Sequence, residues 1–498
     1  VSRLATRAAL CAWLGLLVAA CAAEPLAGPL SPPAVSPRAF ELFAPPVALA
    51  SLGPAALGEL EAAGGAELVA ELPDMQGVLG QGEAGYHLAS GFLRLRLATL
   101  DTSAPDERLR GAARLEPLDA VLSLELTPSS GPSKTCGLHL QAESRAFSVE
   151  WALGADAQGM PRLMPVGRPG LEGAGLDLWL DPGCTVLALD GLMAEVAAAT
   201  EAALQAGLDE LVDRLGGTLA GVLGLRFRVQ GSLGGLRFDL AASAEATSFS
   251  AGSLRVGLAG GFEATADRCV PPGLAWPEPG DGLETVFVPR LPGTGEAYGL
   301  AVAVPLASLQ QGLGAVHRAG LLCRRVAGQA PLPALRIEDL LPSLRALGDL
   351  RGTRVAIWPE GSPELGLDPA LGDERLPRVL VRLPAVGVDV YVDLDGADVR
   401  ALGCVAEIFL TLAPELGPDG FSLRLKATRV GNLEITFELL PAESGPELRQ
   451  AASALLASLA GVLVGGLQPL DLSAPAAGRG EVLEAWNDGR AVTLYLAP

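Results

Sequence analysis

The stretch YGLAVAVPLASLQQGLGAVHRAGLLC, Tyr298 to Cys323, changes its hydrophobic period partway along. Its first seven residues alternate or run apolar, which predicts a strand. Beyond Pro305 the apolar positions fall at Leu306, Leu309, Leu313, Val316 and Gly320, at helical spacing. Proline in a first helical turn costs nothing, because that N–H has no partner there anyway. A helix over 306–322 therefore follows the strand, and something must cover its stripe.

The same two periods organise the rest of the chain. Residues 54–72 predict a short amphipathic helix before Pro73. Leu93, Leu95 and Leu97 alternate with Arg94 and Arg96, and Leu122, Leu124 and Leu126 with Ser123 and Glu125. That pattern predicts antiparallel strands with one buried and one wet face. From about Thr185 to Leu215 a helical stripe runs through Leu192, Val196, Leu204, Leu208 and Leu211, and Gly216-Gly217 is expected to end or loosen it. Strands return around Leu236–Leu240 and Leu254–Leu258, and a Pro/Gly-rich connector is expected over 270–295.

The second half repeats the plan. Helices are expected over 306–322 and around 336–347. Strands follow, with Val386, Val388, Val390, Val392 and Leu394 on one face, then Phe421, Leu423 and Leu425, then Leu433, Ile435, Phe437 and Leu439. Ser444-Gly-Pro-Glu447 has the form of a capping box opening a second long helix, which carries Leu455 and Leu459. AVTLYLAP closes with another strand. The repeat is one of architecture rather than of letters.

Composition sharpens this picture. Hydrophobic residues make up 49% of the 498, yet aromatics only 4%, so Leu, Ala and Val supply the apolar surface. The formal charge is −21, from 36 Lys+Arg against 57 Asp+Glu. A nucleic-acid partner is not expected, since phosphate binding needs a basic surface. The arginines are scattered along the sequence, so no basic run for anionic headgroups is expected either.

At the N-terminus, Arg3 and Arg7 precede the apolar run Ala8 to Ala20, which is short for a membrane span. The run ends in Val18-Ala19-Ala20-Cys21, similar to a bacterial lipobox. Residues 1–20 are therefore expected to be a signal peptide, Cys21 the lipidated residue, and 21–50 a Pro/Ala-rich tether. The expected location is the cell envelope, as an outer-membrane-anchored lipoprotein. Five further cysteines, Cys136, Cys184, Cys269, Cys323 and Cys404, would then meet an oxidising compartment. Their number is odd and their pairing is left open.

Two features together carry a family resemblance. One is the strand-into-helix stretch from Tyr298 to Cys323. The other is GFSLRLKATRVGNLEITFELL, Gly420 to Leu440, followed by a long helix and LQPLDLS. Both resemble the family of bactericidal/permeability-increasing protein, lipopolysaccharide-binding protein and cholesteryl-ester transfer protein, the tubular lipid-binding proteins. The resemblance covers about residues 55–498. It implies an α+β fold of two tandem half-barrels, each a curved antiparallel sheet wrapped around a long amphipathic helix, in an elongated tube. Residues 51–269 and 296–498 would be the two lipid-binding-like domains.

The implied ligands are lipids, phospholipid or another acyl-chain molecule, held between sheet and helix. Leu192, Val196, Leu204, Leu208, Leu309, Leu313, Val316, Leu455 and Leu459 are the candidate tail contacts. A low-aromatic, aliphatic composition suits such a slot. Three features depart from the family: the expected lipid anchor, the acidity, and the larger number of cysteines. The alternative is a structural or adhesive envelope lipoprotein with the same fold and a filled core.

Other motifs add no chemistry. Gly80-Gln-Gly-Glu-Ala-Gly85 matches GxGxxG, but it precedes a strand, so a turn is expected rather than a dinucleotide site. Asp389, Asp393, Asp395 and Asp398 could attract calcium, yet Asp389 and Asp393 alternate onto a wet strand face and Asp395-Gly396 is hairpin chemistry. His87 and His139 fall in strands, and His317 at the edge of a helix's polar face. No GxSxG, Walker or zinc spacing occurs, so neither an enzyme, a metal nor a cofactor is expected.

Overall fold

A computed structural model of the protein describes residues 35–80, 84–173, 175–184, 189–223, 225, 228–233, 236–272, 285–327, 343, 354–368, 378–394, 396–417, 420–439, 445–465 and 482–497. The expected signal peptide, Cys21, Ser444 and, but for Ser343, the helix around 336–347 lie outside these residues.

The described chain is mostly strand, with few helices. Strand β1 (Val35–Ala44) precedes two short helices, α1 (Pro46–Ala50) and α2 (Leu52–Ala62). Then come β2 (Glu67–Leu72), β3 (Met75–Leu79), β4 (Ala84–Leu88), β5 (Gly91–Ser103), β6 (Leu109–Leu115) and β7 (Leu118–Pro128). They are followed by β8 (Lys134–Ala142), β9 (Ala146–Ala155), β10 (Pro161–Val166), β11 (Asp177–Leu180) and the long helix α3 (Leu189–Val222). Next are β12 (Arg228–Leu233), β13 (Leu236–Ser250), β14 (Ser253–Ala264), β15 (Leu300–Pro305) and helix α4 (Leu306–Arg318). After β16 (Arg324–Ala327), β17 (Arg354–Pro359) and β18 (Glu364–Asp368) come three long strands, β19 (Arg378–Leu394), β20 (Ala397–Gly417) and β21 (Gly420–Glu438). Helix α5 (Gly445–Gly465), β22 (Val482–Asn487) and β23 (Ala491–Leu496) complete the order.

The chain divides into two compact units. The first comprises Ala44–Arg226 and Thr247–Arg255; the second comprises residues 35–43, Phe227–Ala246 and Val256–Pro498. This differs from an expected boundary at 269, because β12 and most of β13 and β14 belong to the second unit's seven-stranded sheet.

Unit one contains two five-stranded antiparallel sheets, in the orders β10-β9-β6-β5-β2 and β11-β8-β7-β4-β3. Strict alternation builds them. In β6 every second residue of LRGAARL is buried, and Leu93, Leu95 and Leu97 turn inward while Arg94 and Arg96 stay exposed. Helix α2 stops at Ala62, where residues 54–72 were expected to stay helical. Gly64 adopts φ 68° just beyond, and Leu68, Ala70 and Leu72 then alternate into the core as strand β2. A two-residue period has won over a short helical one.

Helix α3 runs through Gly216-Gly217 instead of ending there. A Cβ at Gly216 would sit 3.0 Å from Nε1 of the fully buried Trp151. The glycine is therefore a close-packing position, not a stop signal.

Unit two contains a seven-stranded sheet, β12-β13-β14-β1-β15-β23-β22, and a six-stranded one in the order β16-β17-β19-β20-β21 with β18 also on β19. The expected tether over 21–50 does not hold for its second half. Val35–Ala44 is strand β1, paired with β15 in the register Glu41↔Ala303. Ala39, Phe40, Glu41 and Leu42 are all at most 2% exposed, so both faces of this strand are covered. Residues 285–299 pack beside it. The Thr285 N–H donates to Glu41 Oε2 at 2.7 Å, Phe287 stacks on Phe43 at 4.8 Å, and the Tyr298 hydroxyl donates to the Val288 carbonyl. The second part of the expected connector is thus a packed segment.

Disulfides join Cys136 to Cys184 in unit one and Cys269 to Cys323 in unit two; the Cys404 thiol is buried and unbridged. Cys184 lies just before α3 and Cys323 just after α4. Helix α4 ends at Arg318, earlier than expected. The Gly320 N–H donates to His317 and the Leu321 N–H to Val316, with Gly320 at φ 72°.

Candidate functional site

In unit one the candidate site is the inner face of α3. Its apolar residues recur every three or four positions, so they line one side. Leu192, Val196, Leu204 and Leu208 are each at most 1% exposed, as are Leu211, Val212, Leu215 and Leu219. The helix packs on β2 and β10 of one sheet and touches β3 and β11 of the other. Its polar side is tied down as well. The Arg145 guanidinium, 4% exposed, donates twice to Glu201, at 3.0 and 2.8 Å. The Tyr86 hydroxyl donates to Glu195 Oε2 at 2.7 Å, and burial first, then this carboxylate, push the phenol up to about 12.

In unit two the candidate site lies between the six-stranded sheet and α5. The inward residues of β19 change parity midway. Val379, Val381 and Leu383 are buried, and then Val386, Val388, Val390 and Val392. The ladder slips between Leu383 and Val386, at Pro384, which has no N–H to donate. Leu402, Cys404, Ala406, Ile408, Leu410 and Leu412 continue this face on β20. Leu448, Ala452, Leu455, Leu456 and Leu459 of α5 close on it. Burial also pushes the Cys404 thiol up to about 12.

The edge of this cluster is less complete. Leu425, Val430, Leu433 and Ile435 of β21, with Leu394, Val399 and Leu313, pack against it while only half-buried. Of the α4 candidates, Leu309 and Val316 are buried, and Leu313 is the half-buried one that reaches the cluster. Leu313, Leu455 and Leu459 therefore share one apolar assembly, while Leu192, Val196, Leu204 and Leu208 belong to the other unit.

The β21 rim residues were not among the candidates. The sequence signal was present as alternation, but three register slips break it. Between Thr411 and Leu412 the partner skips Lys426, near Glu407 an extra residue appears at Asn432 (φ 43°), and Thr436 is skipped beside Cys404. Phe437, expected inward with Leu433 and Ile435, instead lies under the Arg400 guanidinium, 5.0 Å from its ring centre.

The outer face of the same sheet is polar and paired. Glu407, 6% exposed, accepts from Arg382 Nε at 2.5 Å and Asn432 Nδ2 at 2.8 Å. Asp389 is also buried rather than wet, because Arg400 Nε at 2.7 Å and the Tyr391 hydroxyl at 3.1 Å donate to it. Asp393 accepts the Gly396 N–H in the β19–β20 turn and Asp398 pairs with Arg354.

Each histidine has a defined partner. His87 meets Asp74 at 3.1 Å. His139 meets Asp181 at 2.9 Å and stacks on Trp179. The His139 hydrogen bond, then the Gly137 N–H, hold the Asp181 carboxyl below its usual range. His317 is 3% exposed rather than at a polar edge; its Nε2 lies 3.2 Å from the Pro359 carbonyl, and burial lowers its pKa. The segment Gly80 to Gly85 joins strands β3 and β4, not a strand and a helix. Among the described residues no group of three potential metal ligands is assembled.

No family model matches the sequence. No curated protein matches it either. Among solved structures the chain is similar to lipopolysaccharide binding protein, with 14% identity over 93% of this chain and 99% of that one and a TM-score of 0.47. It is also similar to P47 of Clostridium botulinum E1, at 6% identity over 93% and 99% with a TM-score of 0.26. Takeout 1 of Epiphyas postvittana aligns with 30% of this chain and 78% of its own, at 9% identity and a TM-score of 0.18.

Proposed function

We propose that the protein binds the hydrocarbon chains of lipids in an apolar slot of its second unit, without chemistry on them. The observation that supports this is the half-buried rim of Leu313, Leu425, Val430, Leu433 and Ile435 beside α5. An aliphatic wall that water still reaches gains free energy when a guest chain covers it. Each methylene removed from water contributes about 0.8 kcal/mol, so eight of them supply about 6 kcal/mol before ordering costs.

On this reading the two units are tandem half-barrels, each with one long helix against curved sheet. Lipidation at Cys21 would hold them at the cell envelope, facing the periplasm or the cell surface. The ligand is a phospholipid or another acyl-chain lipid.

Organic extraction of the purified protein followed by mass spectrometry tests the reading. Lipid in stoichiometric amount is expected, and Leu433→Glu is expected to lower it while the protein stays folded. Extracts free of lipid would remove the proposal.

A second reading, a structural or adhesive lipoprotein with a filled core, is favoured by the sealed α3 stripe of unit one. Measured transfer of a fluorescent lipid between vesicles would eliminate it.

A further inference from the structure

The apolar cluster of unit two has a second half-buried border besides β21. It is built by Leu313 of α4, Leu322 just beyond that helix, and Leu365 and Leu367 of β18. Two kinds of tie hold it. Early in α4, Gln310 clasps the start of β18: its Nε2 donates to the Pro363 carbonyl at 2.5 Å, and its Oε1 accepts the Leu365 N–H at 2.5 Å. Beyond the end of α4 the tie is covalent. The bridge from Cys323 to Cys269 holds the segment Ala319–Cys323 that leads into β16. Beside it the Asp267 N–H donates to the Arg318 carbonyl at 2.9 Å, and the His317 ring meets the Pro359 carbonyl. Leu322 is therefore held on the cluster by a residue bolted to the chain just after β14.

The two bridges differ in how a reductant can use them. Cys136 is 2% exposed and stands opposite Leu124 in the β7–β8 ladder, so attack on Cys184 would expel a thiolate into the core. Cys269 and Cys323 are both half-buried, so either sulfur can be attacked while the other leaves toward water. Cys404 is no internal competitor, because its thiol is buried and the thiolate is the attacking form.

We propose that Cys269–Cys323 is a redox latch on the α4 border of the apolar slot, opened by a dithiol reductant. The latch rests on the lipid-slot reading. A thiolate of the dithiol attacks one sulfur of the bridge; the S–S bond breaks, a mixed disulfide forms, and the released thiolate takes up a proton. The second thiol of the reductant then attacks the mixed disulfide and closes the reductant's own disulfide. The protein gains two electrons and two protons, and the dithiol loses the same. With the latch open, Ala319–Cys323 is held by hydrogen bonds and by the Leu322 contact, while the Gln310 clasp keeps the first turns of α4 in place. Leu322 then swings from the cluster and an acyl chain passes; with the latch closed, the guest is retained.

Titration of the full chain with dithiothreitol, read by alkylation and peptide mass spectrometry, ranks the two bridges. Cys269–Cys323 is expected to open first. Amide exchange is then expected to speed up over 319–323 and not over 189–200. A fluorescent fatty acid, followed by stopped flow, is expected to enter and leave the reduced protein roughly tenfold faster, since local opening no longer strains a covalent tie. Cys269→Ser with Cys323→Ser is expected to show the faster rates without dithiothreitol and no response to it. Cys136→Ser with Cys184→Ser is expected to keep the response. Should the first double variant misfold, reoxidation of the reduced wild type is expected to restore the slow rates and carries the same test.

Opening of Cys136–Cys184 first, or at the same dithiothreitol concentration, would overturn the latch. So would unchanged exchange and unchanged probe rates once Cys269–Cys323 is open. A fatty acid that binds neither form would remove the slot reading, and faster exchange over 319–323 would in that case still support a border freed by reduction.

Discussion

The two long helices meet sheet in different ways, and the difference separates a sealed apolar stripe from one edged by half-buried residues. In unit one α3 touches strands of two five-stranded sheets, and its stripe is at most 1% exposed from Leu192 to Leu219 at the named positions. In unit two the described part of α5 packs on β20 and β21 of a single sheet. Its inner face is small at Ala451, Ala452 and Ala460, and the residues of β21 beside it stay half-buried. Among the described residues the same amphipathic pattern is thus sealed in one unit and bordered by half-buried residues in the other.

The largest test of this contrast sets Leu204→Glu against Leu433→Glu. The first puts an unpaired carboxylate at a site with no solvent and is expected to cost more than about 4 kcal/mol. The second lies at a half-buried rim and is expected to cost about 1 kcal/mol. Chemical denaturation measures both, and equal losses would erase the distinction between the units.

The disulfides come next. They close similar spans, 48 residues in unit one and 54 in unit two, worth about 4 kcal/mol each in the chain-entropy view. Cys136→Ser with Cys184→Ser should cost about 2–4 kcal/mol and speed amide exchange in the first turns of α3 while leaving α4 protected. Exchange that rises equally in both helices would show that the bridge does not act locally.

Glycine substitutions give a smaller, paired effect. Gly159 in unit one and Gly320 in unit two have φ 77° and 72°. A Cβ at Gly159 meets nothing within 4 Å, while one at Gly320 would stand 2.6 Å from Asp267 Cβ. Gly159→Ala should therefore cost about 1 kcal/mol of unfolding free energy, and Gly320→Ala about 2–3 kcal/mol, as measured by chemical denaturation.

The smallest effect is one of pH. Burial lowers the pKa of His317 in the folded protein. The unfolded chain then binds a proton first, so this group's contribution is intact above its ordinary value near 6.5. It is lost as pH falls from there toward the folded value, by at most about 1.4 kcal/mol per pH unit. Stability measured from pH 7.5 to 5.5 should fall less steeply in His317→Gln than in the wild type. Parallel curves would remove His317 as the cause.

Much of the fold was legible along the chain. Alternation marked β5, β7, β13 and β14, and the helical period marked α3, α4 and α5, since each reports a face turned from water. Where short-range signals misled, a distant partner had intervened. Trp151 made Gly216-Gly217 a contact rather than a break, and the neighbours of β1 drew Val35–Ala44 out of an expected tether. The tail candidates on α3 and α5 were readable as apolar. The half-buried residues of β21 beside α5 were not, because they depend on the register slips of that strand.

From residue order alone, the acidity, the aliphatic composition, the two helix stripes and the odd cysteine number were all settled, because each is local or additive. Folding in three dimensions settled the disulfide pairs, the register slips that aim Val430 inward and Phe437 outward, and the meeting of Arg429 and Arg382 on the Phe409 ring. Those features arise from contacts between segments far apart in the chain, and a linear pattern encodes which side of a segment is apolar but not what comes to lie against it.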